Sequence, residues 1–124
     1  MSPSNVIFES NFKKVFFNNV FSTKYIISFM DPLLRASSDS KAIFVDDEMT
    51  RKFTSTYSSS KAATRNMAIC YQMENERIGP KVHLFNPKPM KTNIRKNFFP
   101  GEHRKGTYSC LSQAKLLKTI IHDE

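Results

Sequence analysis

Two short apolar runs, Ala42-Ile43-Phe44-Val45 and Val82-His83-Leu84-Phe85, each follow a helix-length stretch, and this alternation constrains the chain most. Runs of this length, rich in β-branched and aromatic residues, suit strands buried on both faces of a parallel sheet. Parallel neighbours need a long crossover, and the segment between the runs is long enough to be one. The expected order is helix, strand, helix, strand, loop, helix, an α/β layer arrangement with right-handed crossovers. Two strands are too few for a stable sheet, so the chain reads as part of an α/β domain.

The helices follow from periodicity. Residues 11–35 carry apolar side chains at 12, 15, 16, 17, 20, 21, 25, 26, 27, 29, 30, 33 and 34, with Lys13, Lys14 and Lys24 elsewhere on the surface. Pro32 falls near the end, where a kink is tolerated. Residues 36–40 have loop composition, and 46–56 are polar without a clear period. Residues 57–77 form the second helix, stopped by Gly79-Pro80. Pro87 and Pro89 close the second strand. Residues 91–105 are basic and irregular, with one helical turn at 93–97, and residues 109–122 form the last amphipathic helix.

Composition excludes several classes. Eleven phenylalanines and 40% hydrophobic residues are incompatible with a disordered tail. The most apolar stretch, 15–30, is broken by Asn18, Asn19, Ser22, Thr23, Lys24 and Ser28, so no membrane span is expected. The first residues lack the pattern of a signal peptide. Cys70 and Cys110 form neither a disulfide framework nor a metal spacing, which fits a reduced, cytoplasmic chain. His83, His103 and His122 are too scattered for zinc, and Asp46, Asp47 and Glu48 alone define no metal site. Charge is uneven: residues 77–118 hold ten Lys/Arg and one acid, whereas residues 1–76 hold nine basic and eight acidic groups. A basic half of this kind suits an anionic partner, although an ordinary solvated face has the same composition.

The segment with most chemical content is Tyr57-Ser58-Ser59-Ser60-Lys61-Ala62-Ala63. Four residues apart on a helix, Tyr57 and Lys61 lie one above the other. An ammonium there favours phenolate and lowers the tyrosine pKa, making a usable acid/base group. Taken alone, the spacing equally describes surface decoration.

Its context resembles the short-chain dehydrogenase/reductase family over roughly residues 10–121. The motifs carrying the likeness are YSSSKAA at 57–63, the strand KVHLFNP at 81–87, and PMKTNIRKNFFPGE at 89–102. Asn19 also stands thirteen residues before Pro32-Leu33-Leu34, upstream of the strand AIFV, in the family's order. The resemblance implies a partial Rossmann-like fold: residues 1–10 would be an N-terminal segment, and residues 11–122 the C-terminal half of a doubly wound parallel sheet domain. It implies NAD- or NADP-dependent hydride transfer on a small carbonyl or alcohol substrate. By this likeness Tyr57 exchanges the substrate proton, Lys61 holds the nicotinamide ribose, and Asn19 completes a proton relay through water. Met90 lines the nicotinamide pocket and Thr92 contacts the cofactor. Helices 11–35 and 57–77 match the family's dimer-forming pair, which implies a homo-oligomer.

The departures from the pattern are specific. Where the family places a serine after the first strand, this chain has Asp46-Asp47, and an ionised aspartate there repels a developing oxyanion. The interval from Asp47 to Tyr57 is short, so neither Ser55 nor Ser58 replaces that serine by proximity. Asn86-Pro87-Lys88 stands for Asn-Pro-Gly, and the lysine crowds a backbone that approaches the cofactor. The three glycines (79, 101, 106) form no dinucleotide-binding turn, so the chain alone is expected to be inactive or to need a complementing half. Phe98-Phe99 beside Arg95-Lys96 could stack on single-stranded nucleic acid, but matches the family's substrate-covering loop better. The alternative function is a non-catalytic interaction or dimerisation protein, with the basic C-terminal half binding an anionic partner.

Overall fold

A computed structural model describes residues 1–102 and 106–123; His103, Arg104, Lys105 and Glu124, including the end of the basic 91–105 segment, lie outside the described residues. Two compact units are present, Met1–Phe85 and Asn86–Glu124.

In the first unit, helix α1 (Glu9–Phe16) runs into a turn of π-helix (Phe17–Phe21) and then α2 (Ser22–Arg35). The single helix expected over 11–35 is therefore longer at its start and locally unwound. Glu9 pairs with Lys13 one turn on and places an acid in the first turn, which favours the earlier start. Pro32 is accommodated inside α2. Strand β1 (Lys41–Val45) leads through a loop to α3 (Ser55–Glu74) and then β2 (Lys81–Phe85). The strands are parallel and in register from Lys41 opposite Lys81 to Val45 opposite Phe85. The parallel α/β layer is thus as expected, with α3 starting two residues earlier and ending at Glu74.

α1 and the π-turn pack on α3, and α3 packs on β2. The core is small: Ala68, Tyr71, Pro80 and Val82 are the buried apolar residues among those described. Phe44 meets the Tyr71 ring edge-on at 6.3 Å, and Gln72 donates to the Val82 carbonyl at 2.8 Å. β1 was expected to be buried on both faces, yet none of its residues is fully buried and Val45 is 53% exposed. The described sheet has two strands, so β1 has a strand on one side only.

A polar cluster joins the end of α2 to the end of α3. Arg35 bonds Asp31 (2.8 Å) and the Asn75 side-chain oxygen (2.6 Å), and Tyr71 donates to Asp31 (2.6 Å). Gly79, at φ +137°, closes the turn, and a Cβ there would stand 2.2 Å from the Asn75 oxygen. Only glycine fits that conformation and that space.

In the second unit, Met90 and Tyr108 form a parallel bridge. Short helix α4 (Asn93–Phe98) extends the expected turn by one residue, and α5 (Cys110–His122) covers nearly the expected 109–122. Ser109 caps α5 by accepting from the Ser112 amide at 3.1 Å. Buried Gln113 accepts from the Lys88 amide at 2.9 Å. No helix among the described residues is long and apolar enough to cross a membrane.

Candidate functional site

α3 sets the geometry of the site. Residues 57, 60, 61 and 64 follow the i, i+3, i+4, i+7 spacing, so Tyr57, Ser60, Lys61 and Thr64 share one stripe. The Lys61 ammonium lies 5.9 Å from the centroid of the Tyr57 ring.

The π-turn brings Asn19 to this stripe. Its Nδ2 donates to Ser60 Oγ at 2.9 Å, and fully buried Ser60 donates onward to the Tyr57 carbonyl at 2.7 Å. The Asn19 carbonyl accepts from the Thr23 and Thr64 hydroxyls, at 2.7 and 3.3 Å. Within a regular α-helix a carbonyl bonds the amide four residues on. The Ser22 amide, five residues after Phe17, bonds the Phe17 carbonyl instead, the wider spacing that defines a π-turn. Asn19, Tyr57 and Lys61 are thus held on adjoining turns of two packed helices. Ser60 and Thr64, which make that link, escaped the sequence reading; their spacing from Tyr57 and Lys61 was the available signal.

A cavity of about 460 Å³ opens between α2, β1 and α3. Its walls include Asn19 and Lys61, with Ile26, Ile27 and Met30 on the α2 side. Tyr57 is not on its wall.

The loop after β1 departs most from expectation. Asp46 is 7% exposed and forms an ion pair with Arg65. Asp47 accepts the Tyr57 hydroxyl at 3.0 Å. Burial, then this hydrogen bond and the negative charge of Asp47 and Asp46, push the Tyr57 phenol well above the ordinary tyrosine range. The sequence argued the opposite, a phenol made more acidic by Lys61. Burial is the larger cause, and the carboxylate adds to it because it touches the hydroxyl itself, whereas the ammonium sits beside the ring. Ser58 donates to carbonyls of its own helix, at Thr54 and Ser55. Ser55 Oγ is buried without a hydrogen-bond partner among the described residues.

Met90 and Thr92 belong to the second unit. Met90 lies in the bridge to Tyr108, and the Thr92 side chain caps α4 by accepting from the Arg95 amide at 3.2 Å. Its hydroxyl proton remains available to a ligand. The Arg95 guanidinium makes a two-pronged contact with Glu102, at 2.7 and 2.6 Å, and lies 5.1 Å from the Phe99 ring centroid. That pairing offsets one of the charges on which nucleic-acid stacking depends. Among the described residues no cluster of His, Cys, Asp or Glu could hold a metal ion.

No family sequence model and no curated protein matches the chain. Solved structures do. A short-chain dehydrogenase from Salmonella enterica serovar Typhi superposes with a TM-score of 0.84 at 22% identity, covering 98% of this chain and 50% of that one. A putative short-chain dehydrogenase from Escherichia coli, complexed with NADPH, gives 0.86 at 21% identity, covering 98% and 51%. One from Streptomyces avermitilis gives 0.82 at 15% identity, covering 99% and 52%. This chain spans about half the length of the structures it matches, and its fold is that part of a short-chain dehydrogenase/reductase fold: a partial, Rossmann-like α/β layer.

Proposed function

We propose that the chain carries the proton-transfer part of an NAD- or NADP-dependent site for interconverting a small carbonyl compound and its alcohol. The observation that carries this reading is the joining of Asn19, through Ser60, to the helical turn bearing Tyr57 and Lys61. In this reading Tyr57 exchanges a proton with the substrate oxygen as hydride passes to or from the nicotinamide. Lys61 holds the nicotinamide ribose, and Asn19 completes a proton relay through water. Met90 and Thr92 contact the cofactor. The bound dinucleotide would supply the hydride; every other role falls to side chains of this chain.

The residues fit that group in part. Lys61 and Asn19 border an open cavity of about 460 Å³. The three glycines supply no pyrophosphate-binding turn, so a complementing half is part of the proposal. The likeness to a structure complexed with NADPH supports the cofactor class.

A thermal melt with and without millimolar NADH or NADPH tests the reading. A ligand that binds only the folded state adds about 2.7 kcal/mol at a hundredfold excess over Kd. An upward shift of several degrees that vanishes in Lys61→Ala is expected. An unshifted melt in the presence of the complementing half contradicts the proposal.

The second reading, a dimerisation module, has its own observation. Phe12, Phe17 and Phe21 are exposed along α1 and the π-turn, where they help line an apolar groove of about 560 Å³. Exposed patches of this kind mark association surfaces. A homo-oligomer through α1–α2 and α3 is compatible with both readings.

A further inference from the structure

We propose that Asp47 is a positioning residue which holds the Tyr57 hydroxyl turned to itself, so that Tyr57 cannot exchange a proton with substrate until that contact is broken. The proposal deepens the dehydrogenase-like reading and rests on it. Asp47 follows β1 where the resemblance expects a hydroxyl, and its carboxylate accepts the phenol proton at 3.0 Å. A serine hydroxyl can turn its proton toward a substrate oxygen, whereas an ionised carboxylate only accepts. The substitution therefore changes what the phenol proton is used for. In the reducing direction the phenol would have to leave a phenolate beside a carboxylate. In the oxidising direction the phenolate needed as base is scarce. Both directions are disfavoured by one contact.

The surroundings reinforce the contact. Asp46 and Asp47 are the acids acting on the phenol from the β1–α3 loop, and both raise its affinity for the proton. Asp46 is itself tied to Arg65 of α3, so the Arg65 charge is spent on the neighbouring carboxylate. Lys61 is the cation of α3 beside the ring, at 5.9 Å from its centroid. Asp47 Oδ1 accepts the Met49 amide at 2.9 Å, which fixes the carboxylate's orientation toward Tyr57. The carboxylate is held by its own loop and does not depend on the phenol for its place.

Tyrosinate absorbance near 295 nm, with Tyr57→Phe subtracted to isolate the Tyr57 component, reads the contact without cofactor or turnover. In Asp47→Asn and Asp47→Ser, the Tyr57 transition is expected to fall by about one pH unit or more, and Asp47→Glu to restore part of the difference. A Tyr57 transition that stays in place in a folded Asp47→Asn or Asp47→Ser protein overturns the proposal. Where both variants unfold, Tyr57→Phe gives the answer at neutral pH: the Asp47 carboxyl carbon resonance should move when the phenol hydroxyl is removed, and an Asp47 resonance that stays in place overturns the proposal. The nucleotide-dependent melt shift is measured separately, so loss of the dehydrogenase reading and loss of the Asp47 contact are distinguishable.

Discussion

At the scale of single residues, this chain spends its buried polar groups on holding helices together. Ser60 is fully buried between two hydrogen bonds, one from Asn19 and one to the Tyr57 carbonyl. Ser60→Ala leaves the Asn19 amide without that acceptor and should cost about 1–3 kcal/mol in denaturant unfolding. Gly79→Ala forces a Cβ into the Asn75–Arg35 contact at a positive φ, and should cost about 2 kcal/mol or more. Ionisation gives a third expectation. Burial, and then the hydrogen bond to Asp31, push the Tyr71 phenol up to about 12. Tyr57 is raised too, by burial and Asp47. Both phenols bind their protons more tightly when folded, so their contribution is fully present below about pH 10, the ordinary tyrosine value. It is lost as pH rises from there through the folded-state values. Alkaline unfolding should therefore begin above pH 10, and Tyr71→Phe should flatten the pH dependence there.

At the scale of elements, helix ends and one wide turn decide what the chain presents. α5 begins at a serine whose side chain accepts from the third residue onward. Ser109→Ala should lower the stability of the unit Asn86–Glu124 by about 1 kcal/mol, seen as faster amide exchange in α5. The strands were legible because short apolar runs between helix-length segments allow few other arrangements. The π-turn was not, since nothing in Phe17-Asn18-Asn19-Val20-Phe21 announces it. Its stabilising contacts come from Thr64 and Ser60, more than 40 positions away. The site residues Asn19, Tyr57 and Lys61 were named from motif order, and their proximity follows from α1 and the π-turn packing on α3. The bond from Tyr57 to Asp47 was not legible. It depends on the shape of a loop that includes Phe53 at φ +66°, a conformation rare for a phenylalanine, and a Thr54–Arg51 turn. Helical spacing alone pointed to Lys61 as the dominant neighbour, whereas burial and then a contact across ten residues set the sign.

At the scale of the whole molecule, apolar surface exceeds what the small core uses. Phe8, at the start of α1, and Phe29 and Leu33 of α2 are 74%, 75% and 66% exposed, while four apolar residues are buried among those described. In the dimerisation reading, covering this surface adds stability by association. Its melting temperature should rise with protein concentration, and Phe17→Ser with Phe21→Ser should weaken self-association in sedimentation. The half-length correspondence with short-chain dehydrogenases agrees with open α2 and β1 surfaces that a complementing half could cover. In the proposed function, Asn19, Tyr57 and Lys61 form one side of a nicotinamide nucleotide site. Amide and side-chain NMR shifts on titration with NADPH, in the presence of the complementing half, test it most directly. Perturbations centred on Asn19, Ser60 and Lys61, lost in Lys61→Ala, are expected. Perturbations confined to the basic second unit, or none in either unit, would contradict it.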